Sequence, residues 1–338
     1  MESSRKTGGA HNGYGGFTAT IVWTAPDNPR APNGLKLKAM KTLLLKSNTE
    51  LDRPAKYGNV NGWLGGSRLG ALEHQGMNVL ARRLEEYTSL TTADRAELAL
   101  LTGQSSRTIQ PRRDLLREGD APHFAYLILE GWGCHYRTLG DGRRQIVDFA
   151  IPGDLCDLNL FILDRMDHSI GAISKLKVAE INRELLLRVI TNFPNITAAL
   201  WWQELVSKSI HRERIVSIGQ RSALERIAHL FCEMFLRLET MGLTHGFSCD
   251  FPPTQQDIAE ATGLTSVHVN RSIQELRRQG LLILDRQRLT IPDPLALGAA
   301  GLFSSEYLYH KKLNQQNRAR DGQMQLDGVL RQSTSSTG

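Results

Sequence analysis

The sequence predicts an α+β fold: an N-terminal antiparallel β-roll, a long dimerisation helix and a C-terminal winged helix-turn-helix, between disordered N- and C-terminal tails. Short apolar runs separated by turn signals over residues 111–181 favour the roll. A helical pattern that continues for about sixty residues after Glu184 favours a long helix and a second helix behind it. Two short amphipathic helices around Gly263, followed by an alternating run, predict the winged helix-turn-helix.

Composition places the chain among globular proteins. Its 338 residues suffice for two domains with tails, and 41% of them are hydrophobic and 22% charged. No run reaches the roughly 18 apolar residues of a membrane span, and no secretion signal is visible, so we expect a cytoplasmic protein with no membrane partner. Residues 1–76 hold ten Lys/Arg and five Asp/Glu, a net charge of +5, so nearly all of the chain's net charge of +6 lies outside the predicted folded part.

The amino-acid composition and the sequence pattern change along the chain. Twelve of the thirty glycines lie in residues 1–76, which favours a disordered extension over a domain. The pair Asp141-Gly142 lies between two apolar runs and predicts a β-hairpin, because glycine supplies the positive φ of the turn. The predicted parts are an extension over 1–76, a sensor roll over 77–190, a dimerisation helix over 191–220, a winged helix-turn-helix over 221–310 and a disordered tail over 311–338.

Two helices are predicted between the roll and the C-terminal module. Pro194 interrupts the helical pattern, and Asn195 is then a plausible cap for a helix that runs to Ile218. An apolar stripe on that helix is either core or a dimer seam, and it consists of Trp202, Leu205, Val206 and Ile210. The second helix, ALERIAHLFCEMFLRLETMG, ends at Gly242.

The C-terminal module shows a helix-turn-helix pattern. Thr254 caps a short helix with Asp257 in the capping-box position, and Gly263 ends it. A second helix begins near Thr265 or Ser266 and ends at Gly280, with one apolar face made of Val269, Ile273 and Leu276. The run LLILDRQRLTI predicts a two-stranded wing behind it.

The polar face of the second helix points to double-stranded DNA. With its apolar side buried, the free residues near its N-terminus are Ser266, Val267, His268, Asn270, Arg271 and Gln274. In a helix-turn-helix this end enters the major groove, where arginine pairs with guanine, asparagine favours adenine and valine can meet a thymine methyl. The alternative interpretation is an ordinary solvated face.

Four stretches together resemble the Crp/Fnr family of bacterial transcription regulators, over residues 78–310. They read EGDAPHFAYLILEG, DGRRQIVDFAIPGDL, GQRSALERIAHLF and GLTSVHVNRSIQELRRQGLL. The resemblance implies a cyclic-nucleotide-binding-like roll and a homodimer on a near-palindromic promoter site, in contact with RNA polymerase. It also implies base reading by Ser266, Val267, Asn270 and Arg271, and phosphate contacts by Thr254, Gln255 and His268. Gln274 on the same face, with Arg286 and Arg288 on the wing, completes the predicted phosphate set.

Two departures from the family pattern change these expectations. Many members have glutamate where this chain has Val267, and valine cannot accept from cytosine N4, so we expect a different half-site. The segment that would hold a cyclic nucleotide lacks, at its place before Ser169, the arginine that neutralises the phosphate; Arg165, three residues before His168, is the alternative cation, but no cyclic nucleotide is expected. The candidate ligand-binding residues in this segment are Gly153, Asp154, Leu155, Arg165, His168 and Ser169.

No cofactor is predicted. Iron–sulfur members have clustered cysteines, whereas Cys134, Cys156, Cys232 and Cys249 are far apart and indicate buried thiols. Haem ligation by His123, His135 or Cys134 stays open. No metal cluster and no nucleophile–base set is visible, so no enzyme is predicted.

A second function class stays open: a small-molecule sensor whose winged helix mediates protein contacts. Residues 250–290 contain five Arg and five Asp/Glu, and this near-neutral balance favours that alternative.

Overall fold

The computed structural model describes residues 78–309 apart from 104, 157 and 159–161. The two disordered tails, predicted over 1–76 and 311–338, lie outside the described residues. Within them, the predicted order of roll, long helix and winged helix-turn-helix is confirmed.

Two short helices precede the roll. Helix α1 is Val79–Glu85, and the Asn78 side chain accepts hydrogen bonds from the first amides of this helix. Helix α2 is Thr92–Thr102 and begins with a capping box between Thr91 and Asp94. Both helices bury leucines against the roll and against the helices that follow it, including Leu80, Leu84, Leu98 and Leu101.

Eight antiparallel strands form the roll. They are β1 (Ser106–Ile109), β2 (Asp114–Leu116), β3 (Phe124–Glu130), β4 (Gly133–Thr138), β5 (Arg144–Ala150), β6 (Leu155–Cys156), β7 (Ser169–Ala172) and β8 (Leu176–Asn182). One sheet has the order β1-β8-β3-β6 and the other the order β2-β7-β4-β5. The predicted hairpin joins β4 to β5, and Gly142 supplies a φ of 86° in its turn.

Three helices follow the roll: α3 (Arg183–Asn192), α4 (Pro194–Gln220) and α5 (Ala223–Thr240). The prediction that Asn195 caps α4 is wrong, because Phe193 occupies the N-cap and Pro194 the first turn. Proline fits there since the first amides of a helix have no intrahelical acceptor. Asn195 instead donates a hydrogen bond to Asp94, at 2.9 Å.

The predicted stripe on α4 divides between two environments. Val206 and Ile210 are buried in the chain's own core, together with residues of α5 and β5. Trp202 and Leu205 are each 40% exposed. Val206 and Ile210 therefore belong to the core interpretation that the sequence left open, and only the other two remain available to a partner.

The C-terminal module contains β9 (Thr244–His245), β10 (Ser248–Asp250), α6 (Gln255–Thr262), α7 (Ser266–Arg278), β11 (Ile283–Asp285), β12 (Arg288–Thr290), α8 (Pro294–Ala300) and a 3-10 turn (Glu306–Leu308). The predicted two-stranded wing, β11 and β12, is part of a four-stranded sheet with the order β11-β12-β10-β9.

The roll and the C-terminal module share one hydrophobic core. Trp132 of the roll packs edge-on against Phe149 and against Phe251, which precedes α6. The same cluster contains Phe231 and Phe235 of α5 and the apolar face of α7. Since the described residues form one compact unit, the division into separate domains at 190 and 220 stays a prediction. Among the described residues, no helix has both the length and the apolar composition to cross a membrane.

Candidate DNA interface

Helix α6 begins as the sequence predicts. The side chain of Thr254 accepts from the Asp257 amide, and the Asp257 carboxylate accepts from the Thr254 amide at 2.8 Å. These reciprocal bonds satisfy two amides that an uncapped helix would leave open. The helix ends at Gly263, whose φ of 65° lies in the left-handed region.

Helix α7 presents its predicted apolar face to the core. Val269, Ile273 and Leu276 are at most 3% exposed. Thr265 is the N-cap, and its hydroxyl accepts from the His268 amide. The N-terminal turn is therefore fixed by a local cap and by burial on one side, which leaves the opposite side in solvent.

The solvent side of α7 carries the predicted base-reading residues. Val267 is 61% exposed, and Asn270, Arg271 and Gln274 are exposed as well. Among the described residues the Arg271 side chain has no hydrogen-bond or ion-pair partner, so its guanidinium is available to a base edge. Arginine that is held by an acidic neighbour would have to break that pair before it could bind guanine.

Hydrogen bonds between the two helices engage the other two polar readers. The Ser266 hydroxyl donates to Gln256 Oε1 at 2.7 Å, and Asn270 Nδ2 donates to Gln255 Oε1 at 3.3 Å. Gln256 could not be identified from the sequence, since the pattern does not say which residues of α6 face α7. The contacts fix the side chains of both helices beside the exposed face.

The predicted phosphate residues lie at two places. Thr254, Gln255 and His268 lie at the N-terminal ends of α6 and α7, where unpaired amides favour anions, and Gln274 is exposed about two turns further along α7. Arg286 and Arg288 are exposed on the wing, and Arg286 adopts a φ of 45° in the tight turn between β11 and β12. Arg286 also lines a cleft that it shares with Trp132 of the roll.

Two arginines of the roll contact α6, and these contacts could not be predicted from the sequence. Arg112 forms a bidentate pair with Asp257, at 2.6 and 2.8 Å, and Arg144 contacts both Asp257 and Glu260. More than 110 residues separate each arginine from its partner, so no local pattern could have found these pairs.

A cavity of about 580 Å³ lies between the roll and α4, and the structure brings only some of the candidate ligand residues to it. Asp154, Leu155 and His168 line it. The guanidinium of Arg165 instead donates to the carbonyl of Gly119 at 2.9 Å. The Ser169 hydroxyl accepts from the Glu118 amide, and Gly153 forms a turn with φ of 95°.

Asp154 is already engaged on both carboxylate oxygens. One accepts from Arg83 at 2.6 Å, and the other from Arg237 at 3.0 Å and from the Ile151 amide. Neither Asp154 nor Arg165 is therefore placed as a cyclic nucleotide would require, since the ribose hydroxyl needs a free acceptor and the phosphate a cation. These two residues do not fit that ligand.

The same cavity contains a histidine pair that the sequence did not reveal. His135 Nδ1 and His168 Nε2 are 3.0 Å apart, and His168 also contacts Asp167 at 2.7 Å. Burial, with the neighbouring His168, lowers the pKa of His135 to about 4. No group of three or more His, Cys, Asp or Glu side chains suited to a metal occurs in the part of the chain that the structure describes. The four cysteines are buried free thiols.

Two family models match the chain. A cyclic nucleotide-binding domain matches residues 106–193, and a Crp-like helix-turn-helix domain matches residues 225–300. The transcriptional activatory protein AadR of Rhodopseudomonas palustris is 31% identical over 187 residues, which are 54% of this chain and 76% of that protein. The chain belongs to the Crp/Fnr family of transcriptional regulators. It is accordingly a DNA-binding regulator of transcription.

Other members of the Crp/Fnr family are similar over the same region. The nitrogen fixation regulation protein FixK of Bradyrhizobium diazoefficiens is 32% identical over 185 residues, covering 54% of this chain and 76% of that protein. The solved structure of FixK2 from Bradyrhizobium japonicum shares the fold, with a TM-score of 0.53 at 23% identity, over 58% of this chain and 96% of that chain. AadR is by name a transcriptional activatory protein and FixK a nitrogen fixation regulation protein.

Proposed function

We propose that this protein binds a near-palindromic promoter site as a homodimer and reads each half-site with the N-terminal part of α7. The observation that carries the proposal is the exposed, unpaired Arg271 on a helix whose other face is buried. A bare arginine at this place can donate two hydrogen bonds to O6 and N7 of guanine in the major groove.

The neighbouring readers give the half-site its own character. Asn270 favours adenine, Ser266 can pair with either a donor or an acceptor, and Val267 offers only apolar contact to a thymine methyl. Val267 is 61% exposed, but its side chain has no polar atom that could accept a hydrogen bond from the N4 amino group of cytosine. We therefore do not expect cytosine to be selected at the base opposite Val267. The operator should thus differ from half-sites that a glutamate reads.

Phosphate contacts would fix the register of the module on DNA. Thr254, Gln255 and His268 would meet the DNA backbone at the helix ends, Gln274 from the exposed side of α7, and Arg286 and Arg288 from the wing. Such contacts supply affinity without sequence preference and make binding dependent on salt.

Helix α4 offers a surface for a second copy. Trp201, Leu205 and Ile215 are 68%, 40% and 72% exposed and recur along one side of the helix, with Lys208 and Arg212 between them. Spacings of four, three, four and three are those of a coiled-coil seam. A twofold arrangement would place two α7 helices about 34 Å apart, one turn of DNA.

The regulatory parts of the proposal follow from family membership. A promoter-bound dimer would contact RNA polymerase, and it would act in the cytoplasm, where the chromosome lies. A signal would reach the DNA-binding module through the roll, and the cavity beside His135 and His168 is the place for an effector.

In vitro selection from random DNA tests the proposal. The purified full chain should enrich one motif with two inverted half-sites, and sedimentation should show a dimer. If no motif is enriched, the alternative is favoured, a small-molecule sensor whose winged helix contacts proteins. The near-neutral charge of residues 250–290 is consistent with that alternative.

A further inference from the structure

We infer that Arg112 and Arg144 of the roll are positioning residues for DNA binding. They hold the carboxylates of α6 and so fix the orientation in which the helix-turn-helix meets the phosphate backbone. The inference rests on the proposed function, because it assigns these arginines a role in the same interface.

Arg112 forms hydrogen bonds with Asp257, the capping-box carboxylate of α6. Its two terminal nitrogens donate to the two oxygens of Asp257 at 2.6 and 2.8 Å, and one of them also approaches the Thr254 hydroxyl at 3.3 Å. The Asp257 side chain is fully buried. Burial alone would raise the pKa of Asp257, but hydrogen bonds from Arg112 and Thr254 hold it below its ordinary value. A bidentate pair of this kind fixes an angle as well as a distance.

Arg144 contacts Glu260 in the next turn of the same helix. Its Nε donates to Glu260 at 2.6 Å, and a terminal nitrogen lies 3.2 Å from Asp257. The guanidinium lies over the Tyr136 ring, 4.6 Å from the centroid, and the Tyr136 hydroxyl is in turn bonded to Asp114 at 2.6 Å. Arg144 is therefore held on one side by the roll and on the other by α6.

The backbone that carries Arg112 is also fixed. Its amide donates to the Ala172 carbonyl at 2.8 Å, and its φ of 64° lies in the left-handed region that side chains other than glycine rarely adopt. A non-glycine residue in this conformation needs surroundings that enforce it. Arg112 thus projects from a constrained position of the roll, and Arg144 lies at the start of β5, paired with Thr138 of β4, which suits a role in orientation.

Charge gives these contacts a direct bearing on DNA. Asp257 and Glu260 lie in the first two turns of α6, the end that carries Thr254 and Gln255 of the predicted phosphate set. Unpaired carboxylates there would repel a phosphate, and residues 250–290 have no excess of arginine to offset them. Arg112 and Arg144 of the roll supply the missing positive charge. The helix-turn-helix, which is near-neutral by itself, can therefore bind DNA phosphates when it lies beside the roll.

The test is a double-mutant cycle on Arg144 and Glu260 in the full chain, with DNA affinity measured on the selected operator. Arg144→Gln and Glu260→Gln should each weaken binding by about three- to tenfold, and the double variant should bind no more weakly than either. A loss in Glu260→Gln cannot come from charge alone, because this variant removes a negative charge that would repel DNA. Glu260 also accepts from Gln256 at 3.0 Å, so it is the absence of a further loss in the double variant that assigns the effect to the Arg144 contact.

Arg143→Gln is the matched control. Arg143 lies on the same hairpin and forms an ion pair with Asp141 in that hairpin, so the substitution removes the same charge without touching α6. It should leave the affinity unchanged. Circular dichroism on every variant would check that the fold is kept, and the salt dependence of binding should stay parallel to that of the wild type.

Three results would overturn the inference. Tighter binding by Arg144→Gln would mean that the contact restrains the module. Weaker binding by Arg144→Gln with tighter binding by Glu260→Gln, and a salt slope lower by about 0.9, would mean that Arg144 touches phosphate itself. An equal loss in Arg143→Gln would mean that only net charge matters. A wild-type chain that selects no motif would overturn the proposed function, a failure seen before any variant is compared.

Discussion

Replacement of Arg237 by methionine should strongly destabilise the protein. Arg237 lies on α5 with only 6% of its side chain exposed, and it donates to Asp148 at 2.9 Å, to Asp154 at 3.0 Å and to the Phe149 carbonyl at 2.8 Å. Methionine keeps much of the apolar stem but has no charge. It would leave Asp148 buried without its nearest cation, while Asp154 would keep Arg83.

The magnitude follows from the burial of this network. Removal of one partner from a buried ion pair costs about 3–5 kcal/mol, because the remaining charge has neither water nor a counterion. Since Arg83 still neutralises Asp154, we expect the lower end, about 3 kcal/mol. The free energy of unfolding can be measured by urea denaturation of wild type and variant at equal protein concentration. A loss below about 1 kcal/mol would refute the argument, because that is the range of exposed ion pairs.

The pH dependence gives the same experiment a second readout. Burial alone would raise the pKa of Asp148, but its cationic neighbours, Arg237 first, hold that pKa below the ordinary value. In the wild type this carboxylate stabilises the fold above the unfolded pKa of about 4, and the stability is lost as pH falls through the lowered pKa. In the variant burial acts without Arg237 and raises the pKa. The difference between the two proteins should therefore shrink from pH 7 to pH 5, and a constant difference would contradict the assignment.

Three further predictions concern the turn, the reader and the seam. Gly263→Ala should lower the free energy of unfolding, measured by urea denaturation, by about 1 kcal/mol, because a φ of 65° is unfavourable for alanine. The added Cβ meets no close neighbour, since the nearest heavy atom is 3.7 Å away, so the loss should come from the backbone conformation alone. An unchanged free energy of unfolding would contradict this reasoning. Val267→Glu should shift the selected base opposite it toward cytosine, and an unchanged motif would remove Val267 from the base-reading set. Leu205→Glu should convert the proposed dimer to a monomer in sedimentation. Leu139, which is 55% exposed on the roll, provides the control, because Leu139→Glu should leave the dimer intact; an intact dimer with both variants would place the seam elsewhere.

The local parts of this fold could be predicted because their signals are local. The capping box of Thr254, the left-handed Gly263 and the spacing of Val269, Ile273 and Leu276 each depend on residues within a few positions. The hairpin at Gly142 belongs to the same class. These features are enough to define the helix-turn-helix and the face of α7 that remains in solvent.

Contacts between distant parts of the chain could not be predicted in this way. Arg237 is 89 residues from Asp148, and no periodicity connects the two. The side of α4 that packs on its own chain depends on where the roll lies, so the stripe through Val206 and Ile210 gave no indication of which face meets a partner. His135 and His168 became neighbours only through the pairing of β4 with β7.

Arg271→Ala provides the most direct test of base reading by α7. Affinity should be measured for wild type and variant on the selected operator and on random DNA of equal length, at one salt concentration. The variant should lose about 1–3 kcal/mol on the operator and little on random DNA, because a base contact carries sequence preference and a phosphate contact does not. Equal losses on both DNAs would contradict the claim that Arg271 reads a base.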